Sequence, residues 1–326
     1  MIEKCYYIKS SSINPYYNLA LEDYLFHNIP ANSLVFFLCQ NQNTVMIGKN
    51  QNAYKECHLQ AMEEDHCYLA RRSSGGGAVF QDMGNLNYSF MMYMDSYDIE
   101  KQTQTIVNAL KSLGVPAVIS GRNDIEADGY KVSGNAYLTE KEHCLHHGTV
   151  MLNVDKEKMF RYLNVSDKKI QAKGFDSVVS RVANITEFNP TITLNQLQQA
   201  LLQAVANIYG PLYELNISGS LDEIIEHYHS YKYIYNTMGR FTVIVHDYYS
   251  FGELQMYVDI ENGTIQHIDM FTDAMDVEIE DKLHKLFDNM HIDDNSFKTR
   301  LFTLFDRDMH ADMGKIYLAI KRYMAY

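Results

Sequence analysis

Apolar residues recur at helical spacing in five stretches of the chain. The clearest stretch contains Leu197, Leu201 and Val205, each four residues from the next. This spacing places the apolar side chains on one face of a helix, which can then pack against a core. We therefore predict helices over Pro15–His27, Glu100–Leu113, Gln196–Ile208, Asp276–Met290 and Asp312–Met324.

Short apolar runs between polar or glycine-rich segments predict strands. LVFFLC (34–39) and TVMIG (44–48), joined by the polar QNQN, predict a hairpin of two buried strands. Strands and helices follow one another without strict βαβ alternation, which favours an α+β fold with helices packed on mixed sheets. Further strands are predicted at CYLARR (67–72), AVF (78–80), LNYSFMMYM (86–94), VPAVIS (115–120), KVSGNAY (131–137) and HGTVMLNV (147–154).

The pattern changes after a polar, tyrosine-rich stretch at residues 222–240. FTVIVHDYY (241–249) and GELQMYVDIENGTIQHIDM (252–270) predict a small antiparallel sheet, with its turn at Glu261-Asn262-Gly263. Two of the predicted helices follow this sheet. The sequence therefore predicts two domains, a large one over residues 1–238 and a small α+β domain over residues 239–326.

Acidic residues outnumber basic ones, since 41 Asp and Glu face 28 Lys and Arg and the net charge is −13. A field of this sign repels nucleic acid and anionic membranes at long range, so neither is an expected partner. The five cysteines form no C-x-x-C pair, which favours a reducing cytoplasm over a disulfide framework. An anionic substrate must therefore meet a local group of basic residues.

The densest candidate motif is Arg71-Arg72, followed by Ser73-Ser74-Gly75-Gly76-Gly77 and Ala78-Val79-Phe80. Consecutive glycines are costly in backbone entropy, but they let main-chain N–H groups approach an anion closely. The two arginines supply positive charge for a phosphate or carboxylate. A glycine-rich turn with solvated arginines explains the same pattern. No G-K-[ST] follows, so the motif is not a Walker A loop.

A second cluster spans residues 121–137 and has an Asp-Gly turn signal just before Lys131. A lysine that opens a strand is either a surface residue or a cation placed where negative charge gathers. The pair His146-His147 lacks a third ligand at typical spacing, so no metal site is predicted there.

A third candidate is the segment 168–184, which is locally basic in an acidic protein. A solvated face explains this charge, and so does a binding surface. The basic residues at its start are Lys168, Lys169 and Lys173.

Together these stretches resemble the lipoate–protein ligase family. Six blocks run in the family's order across about the first 190 residues, which is far more specific than a triple-glycine loop alone. The blocks are NLALEDYL from Asn18, VMIGKNQNAYKEC from Val45, RRSSGGGAVFQDMGNLNYSF from Arg71, GRNDIEADGYKVSGNAY from Gly121, HHGTVMLNVD from His146 and KGFDSVVSRVANITE from Lys173.

The resemblance implies a large α+β catalytic domain shared with biotin–protein ligases, followed in bacterial members by a small C-terminal domain. It also implies a two-step reaction of lipoate salvage. Lipoate first attacks the α-phosphate of ATP, in the presence of Mg²⁺, to give lipoyl-AMP and pyrophosphate. The mixed anhydride then acylates a lysine of a lipoyl domain, as in 2-oxoacid dehydrogenase E2 subunits, or of the glycine-cleavage H protein. The implied enzyme is a monomer without a permanently bound cofactor.

The family also implies which residues act. Lys131 is the essential lysine, between the lipoate carbonyl and the α-phosphate. Two unit charges about 4 Å apart repel by about 4 kcal/mol at an effective dielectric of 20, so a cation between two anions has a clear role. The implied nucleotide positions are Arg72, Gly75, Gly76, Gly77, Ala78, Val79, Phe80, Asn85, Asn123, Asp124 (also a candidate Mg²⁺ ligand) and Lys131; the implied lipoyl contacts are Arg72, Lys131, Ser133, Gly148 and Thr149.

Two features depart from the family pattern. Gln81 stands where many members have His, and glutamine cannot titrate near neutrality. In the C-terminal region, NTMGRF (236–241) and FTDAMD (271–276) replace the expected Gly-x-Ser-Pro and Gly-Asp-Phe-Phe. That domain is therefore assigned by its length and element order.

Two other functions are open. A transferase of the same superfamily moves octanoyl or lipoyl groups between carrier proteins without ATP, through a cysteine close to the conserved lysine. No cysteine lies between Gly121 and Lys131, and Cys144 precedes the HHG block. A non-catalytic lipoyl-binding protein would need a broken adenylate site, whereas Arg72, the glycines and Lys131 are present.

Overall fold

The computed structural model describes residues 2–121, 123–164, 181–235, 243–261, 263–291 and 296–322. The predicted domain boundary at 238/239 lies outside these ranges and stays a prediction. Residues 168–180 of the basic segment, with Lys168, Lys169 and Lys173, also lie outside them. The chain forms two compact units. The first comprises Met1–Ile47, Ala53–Arg72 and Ala78–Ile234, and the second comprises Gly48–Asn52, Ser73–Gly77 and Tyr235–Tyr326.

The elements up to Tyr235 are numbered in chain order. The strands are β1 (Lys4–Lys9), β2 (Ser33–Cys39), β3 (Thr44–Ile47), β4 (Tyr68–Arg71), β5 (Val79–Gln81), β6 (Asn85–Tyr93), β7 (Ala117–Ser120), β8 (Asp124–Ala127), β9 (Tyr130–Glu140), β10 (His143–Met151) and β11 (Leu212–Glu214). The helices are α1 (Pro15–His27), α2 (Ala53–Glu56), α3 (Leu59–Glu64), α4 (Ile99–Ser112), α5 (Lys156–Tyr162), α6 (Leu194–Tyr209), α7 (Asp222–His229) and α8 (Tyr231–Tyr235), with 3₁₀ turns at Met94–Ser96 and Ile185–Glu187.

A large mixed sheet with the order β11-β1-β2-β6-β10-β9-β8-β7 forms the centre of the first unit. β11, β1 and β2 are parallel, and the remaining neighbours are antiparallel. Every residue of β2 is buried, because helices cover both faces of the sheet. The core on the face of α4 and α6 includes Leu34, Phe36, Tyr88, Phe90, Ile106, Leu110, Leu197 and Leu201. The α+β fold class is confirmed.

The predicted hairpin of LVFFLC and TVMIG is wrong. β2 pairs with β1 and β6 in the large sheet, whereas β3 pairs with β4 and β5 in a separate three-stranded sheet. Both strands are apolar throughout, so their sequences carry no sign of which partner they face. The link between them is held to α1 instead, since Nδ2 of Asn18 donates to Oδ1 of Asn41 at 2.8 Å.

The long predicted helices agree with the structure in position. The first coincides with α1, which begins after Asn14, whose side chain accepts hydrogen bonds from the main-chain N–H groups of Tyr16 and Tyr17. The helices predicted over 100–113 and 196–208 match α4 and α6 within two residues. β1, β8, α5 and α7 were not predicted, because such short or polar segments show no clear period.

The second unit contains a three-stranded antiparallel sheet and helices, as predicted. Its core consists of one face of the sheet and the apolar sides of the helices. Asn262 of the predicted turn lies outside the described residues, and α10 was not predicted. The elements are β12 (Val243–Tyr249), β13 (Gly252–Glu261), β14 (Thr264–Thr272), α9 (Ile279–Phe287), α10 (Ser296–Leu304) and α11 (His310–Arg322), with a 3₁₀ turn at Arg307–Met309.

None of the helices in the described part of the chain is both long and apolar enough to cross a bilayer.

Candidate active site

An irregularity in the pairing of β8 and β9 sets the direction of Lys131. Ile125 pairs with residue 133, but the next residue, Glu126, pairs with Lys131, so Val132 is an extra residue on β9. A β-bulge of this kind re-aims the side chains beside it. Val132 points into the core, while the side chain of Lys131 stays 33% exposed.

The amine of Lys131 lies beside Asp124 and over Gly134. Its Nζ atom is 2.8 Å from Oδ1 of Asp124, in the geometry of an ion pair without a well-directed hydrogen bond. An added Cβ at Gly134 would lie 2.9 Å from both Cε and Nζ of Lys131, so the glycine leaves space for the amine. An ammonium has three donors, and this arrangement leaves capacity for a further anion.

Asp124 and Gly134 begin a row of residues across four neighbouring strands. Cross-strand pairing aligns Asp124 with Gly134, Gly134 with Thr149, and Thr149 with Asn87. Directly opposed residues share a face of the sheet, so Thr149 lies on the face toward which Lys131 extends. We call Asp124, Gly134, Thr149 and Asn87 the polar row.

Buried amides continue the polar row beyond Asn87. Oε1 of Gln81 accepts hydrogen bonds from Nδ2 of Asn41 at 2.7 Å and from Nδ2 of Asn87 at 3.4 Å. Nδ2 of Asn85, one of the predicted site residues, donates to Oδ1 of Asn87 at 3.0 Å. Gln81 is therefore held by neutral amide donors.

A buried carboxylate on α1 lies over the same face of the sheet. Nδ1 of His147 is 3.0 and 3.1 Å from the two carboxylate oxygens of Glu22, and the Ser89 hydroxyl donates to the same carboxylate. Burial opposes ionisation of Glu22, but the His147 ring, the Ser89 hydroxyl and the charge of Arg72 outweigh it, so the pKa of Glu22 lies below its usual value.

The two predicted arginines have different surroundings. Nε of Arg71 donates to the carbonyl oxygen of Ile234 at 3.1 Å, so this side chain holds the end of α8. Nη1 of Arg72 donates to the carbonyl oxygen of Met46 at 3.1 Å. Burial lowers the pKa of Arg72 to about 10, although the charge of Glu22 opposes the shift. Arg72 therefore remains a buried cation at neutral pH.

Ser133 and Gly148, two of the predicted lipoyl contacts, lie on the face of the sheet that α4 covers. The Ser133 hydroxyl is fully buried, 3.4 Å from the hydroxyl of Tyr88. An added Cβ at Gly148 would lie 2.5 Å from the same phenolic oxygen, so Tyr88 can pack there only against glycine. Four predicted lipoyl contacts lie on β9 and β10, and of the three besides Lys131 only Thr149 shares its face.

The glycine loop, Ser73–Gly77, belongs to the second unit. The N–H of Gly76 donates to the carbonyl oxygen of Ala274 at 2.9 Å, and an added Cβ at Gly75 would lie 2.1 Å from that oxygen. Gly76 has a φ of 89°, which favours glycine. At Gly77, in contrast, no atom of the described residues lies within 4 Å of an added Cβ. A side chain would therefore clash with the Ala274 carbonyl at Gly75, strain the backbone at Gly76 and meet no described atom at Gly77.

The segment after the glycine loop leads into β5. Ala78 and Val79 are half-buried, and Phe80 is buried against the ring of Tyr162, with 5.5 Å between ring centroids. The buried Phe80 side chain therefore anchors this segment within the first unit, and the main chain of Val79 and Phe80 pairs with β3.

Asn123 and Asp124 line one wall of a cleft of about 250 Å³ in the first unit. The first turn of α4 and the edge of the large sheet form the other walls. The remaining lining residues are Ile99, Glu100, Thr103, Ile119 and Tyr137. Across the described ranges, no three His, Cys, Asp or Glu side chains group closely enough to hold a metal ion.

Sequence reasoning missed Glu22, Asn87 and Ser89. Glu22 carried a usable signal, because a charged residue between apolar positions of a helix is rarely buried unless it has a partner. Asn87 and Ser89 alternate with apolar residues in β6, but this alternation alone does not indicate which face holds a ligand.

Comparisons with known proteins match most of the chain. The model of the lipoyl protein ligase A/B catalytic domain matches residues 14–206, and that of the bacterial lipoate protein ligase C-terminus matches residues 239–316. A lipoate-protein ligase A from Psychrobacter cryohalolentis is 35% identical over 306 residues, which cover 90% of this chain and 90% of that protein.

Solved structures show the same fold. LipL1 of P. falciparum, in complex with lipoate, aligns with a TM-score of 0.84 and 25% identity, over 97% of this chain and 99% of that one. A bipartite lipoate protein ligase with its E2 lipoyl domain from Thermoplasma acidophilum aligns with a TM-score of 0.64 and 24% identity, over 74% and 98% of the two chains. The C-terminal domain, which was assigned from its length and element order, is matched by a family model of its own over residues 239–316.

Proposed function

This chain belongs to the lipoate–protein ligase family, and we propose that it is an ATP-dependent enzyme that joins lipoate to AMP and then transfers the lipoyl group to a protein lysine. The observation that carries this proposal is the placement of Lys131, which a β-bulge directs over Gly134 to a position 2.8 Å from Asp124. The amine is partly exposed, and its partner Asp124 lines a cleft.

In the first step a carboxylate oxygen of lipoate attacks the α-phosphorus of ATP. The new P–O bond forms as the bond to the bridging oxygen of pyrophosphate breaks. Both reactants are anionic, so their approach is opposed by several kcal/mol unless a cation lies between them. Lys131 meets that need, with Asp124 fixing one side of its ammonium and the remaining N–H donors facing the two anions.

In the second step the neutral ε-amine of the acceptor lysine attacks the lipoyl carbonyl carbon. An amide bond forms, AMP leaves with the bonding electrons, and the amine gives up a proton to solvent or to the departing phosphate. The acyl-adenylate is already activated, so holding the two reactants together supplies much of the rate. Gln81 takes no part as a base, because an amide does not titrate.

The other predicted residues have supporting roles in this proposal. Arg72 provides a buried positive charge for the nucleotide or lipoyl carboxylate. Gly77 and the main chain of Ala78, Val79 and Phe80 run along the nucleotide. Thr149 contacts the lipoyl group on the face of Lys131. Ser133 and Gly148 act indirectly, through their contact with Tyr88, and Asn85 acts through its hydrogen bond to Asn87. Gly75 and Gly76 determine the shape of the glycine loop. Asn123 and Asp124 border the adenylate.

Mg²⁺ fits this site as a companion of ATP. Magnesium usually binds through one or two carboxylates together with substrate phosphates and water. Asp124 offers one carboxylate next to the reacting groups, and ATP supplies the phosphate oxygens. The ion would offset phosphate charge, while Lys131 and Arg72 orient the organic part of the substrates.

The transferase alternative is not favoured. Its nucleophile would be a thiol beside Lys131 with a lowered pKa. Burial instead raises the pKa of Cys144, and its sulfur lies near the Thr139 hydroxyl and the Met94 sulfur. These neighbours do not activate a thiol.

A reconstituted reaction tests the proposal. Purified protein, lipoate and Mg²⁺ are mixed with an apo lipoyl domain of an E2 subunit or with apo H protein, with and without ATP, and the acceptor's intact mass is measured. We expect one lipoyl addition per acceptor lysine only with ATP. Lipoylation without ATP, or from a lipoyl or octanoyl carrier protein alone, would contradict a ligase and identify a transferase.

A further inference from the structure

A chain of polar side chains, the first three of them buried, runs from α4 to the residue before Asp124. Its members, in order, are Gln102, His146, Asn135 and Asn123. We propose that Asn135 is a positioning residue for the reaction, because it holds Asn123 so that the Asp124 carboxylate meets Lys131. This inference rests on the proposed function for its kinetic consequence, but not for its geometry.

Three hydrogen bonds join Asn135 to Asn123. The main-chain N–H of Asn135 donates to the Asn123 carbonyl oxygen at 2.9 Å, and its Nδ2 donates to the same oxygen at 3.0 Å. In return Nδ2 of Asn123 donates to the Asn135 carbonyl oxygen at 3.2 Å. The Asn123 carbonyl and the Asp124 N–H belong to one planar peptide unit, so a fixed carbonyl also fixes the backbone of Asp124.

Hydrogen bonds from Tyr88 and His146 fix the orientation of the Asn135 side chain. Its Oδ1 atom accepts hydrogen bonds from the Tyr88 hydroxyl and from Nε2 of His146, the latter at 2.8 Å. With the oxygen held there, the NH₂ group must face Asn123. Asn135, Tyr88 and His146 are all buried, so no solvent competes for these bonds.

His146 can keep this role because it stays neutral. Burial lowers its pKa to about 3. A neutral ring that donates from Nε2 must accept at Nδ1. The structure places Oε1 of Gln102 2.9 Å from Nδ1 and Nε2 of Gln102 3.3 Å from the Met92 sulfur, and two acceptors cannot share a hydrogen bond. We therefore assign the Gln102 amide the orientation in which its NH₂ group donates to Nδ1, which fixes the tautomer and anchors the chain to α4.

The hydrogen bonds to Asn123 matter because both side chains of the Lys131–Asp124 pair are mobile. Both side chains of the Lys131–Asp124 pair are about one third exposed, and such pairs gain little over the entropy of ordering two mobile groups. A fixed Asp124 backbone removes part of that freedom before substrate arrives. Small displacements of a reacting group can cost about 100-fold in rate.

Two variants separate positioning from general loosening. Asn135→Ala removes the Nδ2 donor to Asn123. The matched control Asn189→Ala removes another amide donor, which binds the Leu113 carbonyl oxygen at 2.8 Å, and leaves all three bonds to Asn123 intact. We expect Asn135→Ala to lower kcat for lipoate-dependent ATP–pyrophosphate exchange by about 10- to 100-fold with little change in KM. We expect Asn189→Ala to keep kcat near wild type. Unchanged kcat in Asn135→Ala, or an equal loss in Asn189→Ala, overturns the proposal.

Asn135→Asp supplies a second test with a similar side-chain volume. A protonated aspartic acid can donate to the Asn123 carbonyl, but a carboxylate cannot. The ratio of variant to wild-type kcat should therefore rise as the pH falls, whereas a pH-independent ratio contradicts a role for the donor. This variant decides the matter if Asn135→Ala does not fold.

Crystal structures of the variants test the geometry without any activity. We expect the Nζ–Oδ1 separation of Lys131 and Asp124 to exceed about 4 Å in Asn135→Ala and to stay short in Asn189→Ala. A short separation in both variants overturns the inference. If the wild-type protein shows no exchange at all, the proposed function fails, but these separations still decide the inference.

Discussion

The side chain of Lys131 passes over Gly134 so closely that any Cβ there would lie 2.9 Å from its Nζ atom. The obstructing atoms belong to the mobile end of a lysine, so a methyl group at position 134 would displace the amine more readily than the fold. Position 134 is therefore a place where the amine can be moved without being removed.

Gly134→Ala should lower the rate of adenylation by about 10- to 100-fold through misplacement of the amine. Because the clash can be relieved by side-chain rotation, the free energy of unfolding should change by less than about 0.5 kcal/mol. Exchange kinetics and urea unfolding of the same preparation measure the two effects. A large loss of stability, or an unchanged rate, would show that Lys131 does not depend on this space.

Gly75 and Gly77 form a matched pair of substitutions to alanine. At Gly77 the added methyl group meets no atom of the described residues, so the fold should be unaffected while nucleotide affinity falls if the main chain cradles ATP. At Gly75 the methyl group meets the Ala274 carbonyl oxygen, and we expect a loss of about 1 to 3 kcal/mol in stability.

Calorimetric titration with a non-hydrolysable ATP analogue, alongside thermal unfolding, distinguishes the two glycine variants. Wild-type affinity in a folded Gly77→Ala protein would remove this residue from the nucleotide site. Wild-type stability of Gly75→Ala would show that the loop can leave Ala274 at little cost.

His146 should make the protein less stable in acid. Its folded-state pKa of about 3 lies below the value of about 6.5 expected in the unfolded chain. The unfolded state therefore binds the extra proton first, so stability is fully present above about pH 6.5 and declines as the pH falls toward 3. The slope from this one group is about 1.4 kcal/mol per pH unit.

His146→Gln removes that titration while keeping a polar side chain. Urea unfolding of both proteins between pH 7 and about pH 4 should show a shallower pH dependence in the variant. Parallel curves would mean that the ring is protonated in the folded state or not buried.

The sequence was informative where one element carries its own pattern. The 3.6-residue period of α1, α4 and α6 identified these helices, and the turn before Lys131 identified the start of β9. The sequence did not indicate which strands pair with each other. β2 and β3 are equally apolar, so only the three-dimensional arrangement shows that they belong to different sheets.

The candidate site likewise contains residues that the sequence predicted and contacts that it did not. Lys131, Arg72 and Asp124 were predicted from their motifs. The direction of Lys131 depends on the extra residue Val132 in β9, which no local sequence pattern indicates. The partnership of Glu22 with His147 joins residues 125 positions apart. Such contacts depend on how the strands and α1 pack, which cannot be predicted from the pattern of a single sequence.

The most direct measurement is lipoate-dependent exchange of labelled pyrophosphate into ATP, because it reports the adenylation step alone. It should be compared in wild type, Lys131→Ala and Lys111→Ala, where the last variant removes an exposed lysine of α4. We predict that exchange is lost in Lys131→Ala and retained in Lys111→Ala, with both variants folded. Exchange at the wild-type rate in Lys131→Ala would contradict the role assigned to this amine.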